Sequence, residues 1–303
     1  MTLWLHWWNV IWQLRPACAR TTSLLWFAVC VAGLSIRTDL LGLTSVVRAL
    51  GLKEKCYDRL RQALHGQGIK LEKMTRLWAQ VVLRVFPGIF RMNGRIVLLG
   101  DGLKVPKSGR KMPAVKLLHQ QSDSNTKPEY IMGHSFQAIA LLVSACQSMF
   151  AVPLASRIHE GIVFSNRDHR TLLDKMVALL GSLAISVPFY FVADAYYASG
   201  KVIQSLLLQG NHLITQVRVN AVAFHPAPAP EGPRTKGRPK KYGKKVRLRS
   251  LLSNTEQMQT AESPVYGEKT SPSGFGLSTC SGDRSELRCV SSRSFTPREE
   301  AVS

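Results

Sequence analysis

Two aspartates end apolar, strand-like stretches of the sequence. Asp101 follows the run RIVLLG at 95–100, and Asp194 follows the run PFYFVA at 188–193. A carboxylate inside a buried strand is costly unless it is paired or binds a metal ion. The sequence therefore predicts that each aspartate either binds a metal ion or is an exposed carboxylate that caps a strand-to-loop turn.

Divalent metal chemistry is the functional interpretation of this pair. Ligands of open α/β sheets bind outside the carboxyl ends of the strands, where two carboxylates repel each other unless a cation lies between them. Mg²⁺ accepts one or two protein carboxylates, keeps several waters and takes phosphate oxygens as further ligands. Two such ions can activate a water or a 3′-hydroxyl for attack on a phosphodiester. Asp101 and Asp194 are thus the candidate catalytic and metal-binding residues, with Mg²⁺ or Mn²⁺ as the cofactor.

The overall charge points to a polyanionic partner. The 303 residues include 40 Lys and Arg against 19 Asp and Glu, which gives a formal net charge of +21. Such a balance favours nucleic acid, although a solvated basic loop is the alternative for any single cluster. Two clusters and one strand residue are the DNA-binding candidates: Lys104, Lys107, Arg218, Lys236, Arg238, Lys240 and Lys241.

The residues above must be positioned by helices and strands, and the predicted order of these elements indicates an α/β fold class. Residues 1–90 have helical periodicity, and two short amphipathic helices at 43–51 and 52–65 predict either a helix-turn-helix or an ordinary helical hairpin. Strands are predicted at 95–99, 115–118, 135–144, 150–154, 189–193 and 212–224. Helices are predicted at 166–183, capped by Ser165 or Asn166, and at 200–209. Strands that alternate with helices indicate a partly parallel sheet.

This order of elements is similar to the ribonuclease-H-like core of DDE transposases. The stretches VLLGDGLKVPKSGRKMP, FYFVADAYYASGKVI, LITQVRVNAVAF and KGRPKKYGKKVRL resemble the insertion-sequence transposases of bacteria. The resemblance implies metal-dependent DNA cleavage and strand transfer, with Asp101 and Asp194 as the first and second metal-binding aspartates. It implies transposon ends and target DNA as partners, a homodimer on paired ends, and a bacterial, nucleoid-associated location in the cytoplasm.

Four regions follow from composition and resemblance together. Residues 1–90 form a helical N-terminal domain, and 91–225 form the first part of the ribonuclease-H-like core. Residues 226–269 are a proline-rich and then basic insertion segment that interrupts the core. Residues 270–303 are Ser-rich without a period of either kind, which predicts a disordered tail.

A third acid is missing from the pattern. Transposases of this kind carry a Glu in a pattern like Tyr-x-x-Arg-x-x-x-Glu, and no such pattern occurs in the sequence. Read in a shifted frame, codons 270–297 can spell an alternating, strand-like sequence, which favours a frameshift or truncation after about residue 269. The expected function is a transposase inactivated by this loss. The alternative is a catalytically dead DNA-binding remnant that competes with intact transposase at transposon ends.

Other protein classes fit the sequence less well. The six cysteines include no C-x-x-C pair, which disfavours a structural zinc site or a disulfide framework and fits a reducing cytoplasm. Arg15 and Arg20 interrupt the apolar N-terminal runs, each shorter than the ~20 residues of a bilayer crossing. A membrane partner is therefore not expected, although a membrane-associated protein using the Trp-rich N-terminus is the third alternative.

Overall fold

The computed structural model describes residues 2–39, 42–109, 112–119, 128–159, 170–216, 222–227, 242–247, 250, 259–262, 272–282 and 285–294. The chain divides into two compact units, Met1–Val192 and Ala193–Ser303.

Five helices form the N-terminal part of the first unit. They are α1 (Leu3–Gln13), α2 (Thr21–Ile36), α3 (Leu43–Ala49), α4 (Lys55–His65) and α5 (Leu71–Val85). One apolar cluster joins α1, α2 and α5 around the fully buried Leu24, and a second joins α2, α3 and α4 around Val46 and Leu60. The described residues between 3 and 85 are thus mainly helical, and a separate N-terminal domain stays a prediction.

Two further features of the helical region are the turn between α3 and α4 and the exposure of the tryptophans of α1. Gly51, between α3 and α4, has a φ of +61°, which glycine adopts without strain. Trp4 and Trp12 are 68% and 49% exposed, so the face of α1 that carries them lies on the surface rather than in the core. None of the described helices is long and apolar enough to cross a membrane.

In its described residues, the remainder of the first unit is a mixed sheet with one helix. Its strands are β1 (Arg91–Met92), β2 (Arg95–Pro106), β3 (Lys116–His119), β4 (Tyr130–Ala145), β5 (Ser148–His159) and β6 (Phe189–Ala193). The strand order is β3-β4-β2-β6, with β1 also on β2 and β5 also on β4. β2 pairs antiparallel with β4, and β4 pairs antiparallel with β5.

β6 lies beside β2 and runs in the same direction. The backbone N–H of Ile96 donates to the carbonyl of Pro188 at 3.3 Å, and further along both strands Gly100 faces the ring of Phe191. Three antiparallel strands, then a helix, then a strand parallel to the first is the order of a ribonuclease-H-like core. The predicted α/β fold class is confirmed.

α6 (Leu172–Ser182) connects β5 to β6 and starts at a capping box. The Thr171 hydroxyl accepts from the Asp174 N–H at 3.2 Å, and the Asp174 carboxylate accepts from the Thr171 N–H at 2.8 Å. The side-chain amide of Gln137 on β4 donates to the carbonyl of Leu172 at 2.9 Å, which ties the helix start to the sheet. The helix thus begins six residues later than predicted, because Thr171 and Asp174 cap it. The predicted caps Ser165 and Asn166 lie outside the described residues.

The second unit begins with a short 3₁₀ helix at Ala195–Tyr197, followed by α7 (Gly200–Leu208) and β7 (His212–Thr215). Its remaining strands are β8 (Val222–Pro226), β9 (Tyr242–Arg247), β10 (Gln259–Glu262), β11 (Pro272–Gly282) and β12 (Ser285–Ser294). They form a sheet in the order β10-β11-β8-β9, with β12 on β11.

The strands of the second unit differ from the prediction in two places. The single strand predicted at 212–224 is two strands, β7 and β8, with 217–221 outside the described residues. β8 extends to Pro226, the first residue of the proline-rich segment, because a proline is tolerated at a strand end and the register shifts there.

The region after residue 270, predicted as a disordered tail, contains β11 and β12. β11 and β12 pair antiparallel from Ser273↔Ser294 to Gly282↔Ser285.

Candidate active site

Asp101 lies where β2 leaves the core. Ile96, Val97, Leu98 and Gly100 are buried, whereas every residue from Asp101 to Lys104 is exposed. The strand does not end at Asp101 as predicted: it stays paired with β4 as far as Pro106. The apolar run therefore marks the end of burial, not the end of the strand.

The Asp101 carboxylate is exposed to water and has a local hydrogen bond. Its Oδ1 accepts from the backbone N–H of Gly102 at 2.6 Å. Among the described residues it makes no ion pair. Because the carboxylate is hydrated, the burial cost that first singled it out does not arise.

Asp194 follows the last residue of β6 and is likewise exposed. Its Oδ1 accepts from the Tyr196 N–H at 3.2 Å and so caps the 3₁₀ helix. Its backbone carbonyl accepts from the Thr215 hydroxyl of β7 at 2.7 Å. Asp194 thus caps the turn through Oδ1, and its role as a metal ligand stays a prediction.

A glycine sets the spacing between β2 and β6 just before Asp101. A Cβ at Gly100 would overlap the ring of Phe191, which is fully buried. Only a residue without a side chain lets this ring lie over β2. The sequence GDG therefore combines a close-packed glycine with the aspartate at the core boundary.

The lysines that follow Asp101 are held by the sheet around them. Lys104 Nζ donates to the carbonyl of His119 on β3 at 2.6 Å, and the Lys107 N–H donates to the carbonyl of Met132 at 2.8 Å. Their predicted contacts with DNA stay predictions. The other DNA-binding candidates lie outside the described residues: Arg218, Lys236, Arg238, Lys240 and Lys241.

The donor set of the two aspartates fits a hard cation. Both carboxylates are exposed, which leaves room for the waters that Mg²⁺ retains and for the phosphate oxygens it takes. In the part of the chain that the structure describes, no group of three or more His, Cys, Asp and Glu could hold a metal ion.

Sequence reasoning missed a basic cavity formed by β5 and α6. Lys175, 9% exposed, lies within α6, and Arg157 lies on β5. In the sequence LLDKMVALL the lysine looks like part of the polar helix face, so burial was not predictable from the pattern. The T-x-x-D pattern of the α6 capping box is present in the sequence at Thr171 and Asp174, and it would have predicted the start of the helix.

Comparisons with known proteins complete the description of the site. No curated protein matches the chain. Among solved structures, the chain is similar to a piggyBac transposase in a cryo-EM structure of its synaptic complex with hairpin DNA, at 13% identity and a TM-score of 0.33. That match covers 85% of this chain and 49% of the other, so the chain spans about half the length of that transposase. Residues 14–271 match the family described as DDE superfamily endonuclease, and the chain belongs to that family.

Proposed function

We propose that this chain derives from the DNA transposase of a bacterial insertion sequence, with metal-dependent DNA cleavage and strand transfer as its chemistry. The family match over residues 14–271 is the observation that carries the proposal. It is supported by two neighbouring strands, β2 and β6, whose apolar runs lead to Asp101 and Asp194.

Each aspartate has a defined role in this chemistry. Asp101 and Asp194 would bind Mg²⁺ or Mn²⁺, which when bound supplies the activation of a water and the stabilisation of the leaving oxygen. The Gly102 N–H orients the Asp101 carboxylate, and the Tyr196 N–H orients that of Asp194. In-line attack by water frees a 3′-hydroxyl, which then attacks the target strand. No covalent bond to the protein is required.

The partners follow from charge and from the resemblance. With a net charge of +21, contacts with DNA phosphates by Lys104, Lys107 and the basic segment would be largely independent of sequence. The chain would act as a homodimer on paired transposon ends, in the cytoplasm at the bacterial nucleoid.

A second candidate function is a DNA-binding remnant that does not cleave. It is favoured by the absence of any Tyr-x-x-Arg-x-x-x-Glu pattern in the sequence. Such a chain would occupy transposon ends and compete with an intact transposase. A frameshift or truncation after about residue 269 would explain the missing acid, and one DNA read across codon 269 and beyond the gene would reveal it as an open shifted frame.

The deciding experiment measures nicking of duplexes that carry the DNA flanking the gene, with Mg²⁺, with Mn²⁺ and with EDTA. Asp101→Asn and Asp194→Asn should each lower the rate at least about 100-fold, because loss of a mere outer partner of a metal ligand already costs 10–100-fold. The control is Asp39→Asn, which removes a half-buried carboxylate paired with Arg48 in the helical region.

The outcomes separate the two candidates. Metal-dependent nicking that both aspartate variants lose, and the control keeps, supports the enzyme. Salt-sensitive binding to the flanking DNA without nicking supports the remnant. Nicking that survives both substitutions contradicts the assigned site, and absence of DNA binding contradicts both functions.

A further inference from the structure

Three helices of the N-terminal region, α2, α3 and α4, pack as one cluster. Each contacts the other two, around the buried side chains of Cys30, Val46 and Leu60. A Cβ at Gly33 of α2 would overlap the Val46 side chain, so α2 and α3 lie close together. A helix-turn-helix is commonly built into such a three-helix cluster. The sequence left a helix-turn-helix and an ordinary hairpin open, and the turn and the surface of α4 distinguish them.

The turn between α3 and α4 is short and held by the core. Three residues, 51–53, separate the residue that ends α3 from the residue that precedes α4. The first of them is Gly51, whose positive φ suits glycine. The Leu52 N–H donates to the carbonyl of Val47 at 2.9 Å, and the Leu52 side chain packs against the cluster. A three-residue turn that contains glycine is typical of a helix-turn-helix.

α4 presents most of its surface to water. Of its eleven residues only Leu60 is buried and two are half-buried, while the other eight are exposed. Lys55, Arg59 and Gln62 are among the exposed ones, and their spacing of four and three residues places them in one row along the helix. This row lies on the side of α4 away from Leu60, so it is available to a partner.

The turn and α4 are basic. They carry four bases against two acids: Lys53, Lys55, Arg59 and Arg61 against Glu54 and Asp58. Arg61 pairs with Asp58 at 3.6 Å, and both side chains are exposed. The row of Lys55, Arg59 and Gln62 contains no acid. Its charge is therefore complementary to a polyanion, in a chain whose net charge is +21.

The dimensions of α4 match the major groove of DNA. An α-helix with its side chains is about 10–12 Å across, and the groove is about 12 Å wide. Lys55 and Gln62 lie seven residues apart, which is about 10 Å along the helix axis. At about 3.4 Å per base pair, that length spans about three base pairs. The row can therefore follow the edges of successive base pairs.

We propose that α4 enters the major groove of duplex DNA and that Arg59 and Gln62 read base edges there. Arginine donates two hydrogen bonds to O6 and N7 of guanine, and glutamine pairs with N6 and N7 of adenine. Lys53 and Lys55 contact phosphates of the same site. Gln62 favours DNA over an acidic protein surface, because a neutral amide adds no charge attraction but matches an adenine edge.

This inference deepens the proposed function and rests on it, because the DNA flanking the gene is taken as the ligand. The contacts proposed for Lys104 and Lys107 are largely independent of sequence. Recognition of the transposon end therefore needs a second surface, and α4 supplies it.

The test measures binding of the full chain by fluorescence anisotropy, in EDTA and at one fixed salt concentration. The probes are a duplex from the DNA flanking the gene and a scrambled duplex of the same composition. Arg59→Ala and Gln62→Ala should each lower the ratio of the two affinities about tenfold, the equivalent of one bidentate base contact. Lys53→Ala should weaken both duplexes alike, since a phosphate contact carries no sequence information.

The matched control is Arg76→Ala, which removes the same charge from an exposed position of α5. It should leave the ratio of the two affinities unchanged. All these positions are exposed, so each variant should keep the urea midpoint of the parent.

A modified base tests the contact itself. Replacing one guanine of the bound site at a time by 7-deazaguanine removes its N7 acceptor. At the guanine that Arg59 reads, this change should weaken the parent and leave Arg59→Ala unaffected. Additive losses at every guanine would show that Arg59 reads none of them.

The proposal is overturned if the chain binds both duplexes equally, or if Arg59→Ala and Gln62→Ala keep the affinity ratio of the parent. Binding in EDTA needs no cleavage, and Asp101→Asn should bind both duplexes as the parent does. Nicking with an unchanged ratio in the α4 variants would sink this inference and keep the enzyme. A lowered ratio without nicking would keep α4 and support the remnant.

Discussion

Substitution of Gly100 by alanine should destabilise the chain through one overlap. The added methyl group would collide with the Phe191 ring, which is fully buried and cannot move without displacing its own neighbours. Overpacking of this kind costs about 1–3 kcal/mol. Alanine restricts the unfolded chain more than glycine does, which offsets about 0.5–1 kcal/mol. Because the added Cβ would overlap two atoms of the ring itself, the overpacking cost should be about 2–3 kcal/mol. The expected net loss in the free energy of unfolding is then about 1–2.5 kcal/mol.

The assay is urea unfolding followed by tryptophan fluorescence, with the midpoint lowered and the slope unchanged. Gly181→Ala is the matched control, since Gly181 lies within α6 and a Cβ there would meet nothing within 4 Å. It should raise the free energy of unfolding by about 0.5–1 kcal/mol, because alanine is the better helix former.

A double variant tests the cause. Phe191→Leu removes the ring atoms that the new methyl group would strike, so Gly100→Ala should cost less in the Phe191→Leu background. The coupling energy should be at least about 0.5 kcal/mol in the compensating direction. A Gly100→Ala variant as stable as the parent, or strictly additive effects of the two changes, would refute the packing argument.

Three further predictions concern α6, the sheet and the thiols. Thr171→Ala should lower the free energy of unfolding by about 1 kcal/mol through loss of the α6 cap, and Thr171→Ser should restore it, as urea unfolding would show. Lys116→Met should stabilise the chain at neutral pH: burial and Lys175 lower the pKa of Lys116 from 10.5, so the folded state holds its proton less tightly. That gain should shrink as the pH rises through the lowered pKa towards 10.5, and a pH-independent difference would contradict it. Iodoacetamide at pH 8 should alkylate the exposed Cys146 well before Cys18, whose burial raises its pKa, with mass spectrometry as the readout.

The sequence predicted elements best where pattern and end signals agreed. β6 has the predicted bounds, 189–193, because proline precedes the apolar run and an aspartate ends it. α3 and α4 are separated at Gly51 as expected, since positive φ at that position suits glycine. The start of α6 was misplaced because a polar NRDHR segment looks helical by composition, whereas the capping box fixes the first turn.

Long-range packing was the part that local patterns could not supply. The contact of Gly100 with Phe191 joins residues far apart in the chain, and nothing in either stretch alone indicates it. The basic cavity is a similar case, since Arg157, Arg170 and Lys175 come from separate segments. The strands β11 and β12 fall in the region predicted as a disordered tail, where the sequence has no apolar period that would indicate a strand.

The argument that singled out Asp101 and Asp194 in the sequence does not hold in the structure. The expectation was that buried carboxylates demand a metal ion, but both lie at the core boundary and are exposed. Exposure still suits the chemistry, because a cation that keeps waters and receives phosphate oxygens must be open on the substrate side. The metal hypothesis therefore rests on residue type, position and family, and no longer on the cost of burial.

Asp194 both caps a 3₁₀ helix and is a proposed metal ligand, and two substitutions can separate these structural and catalytic roles. Asparagine caps helix starts about as well as aspartate, so Asp194→Asn should keep the bond from the Tyr196 N–H and stay within about 0.5 kcal/mol of the parent in free energy of unfolding. Asp194→Ala should lose the cap and about 1 kcal/mol. Both variants lose the carboxylate charge, so both should lose metal-dependent nicking to the same extent. If nicking instead follows stability, with Asp194→Asn active and Asp194→Ala inactive, then Asp194 acts only as a cap and the metal assignment at this residue is wrong.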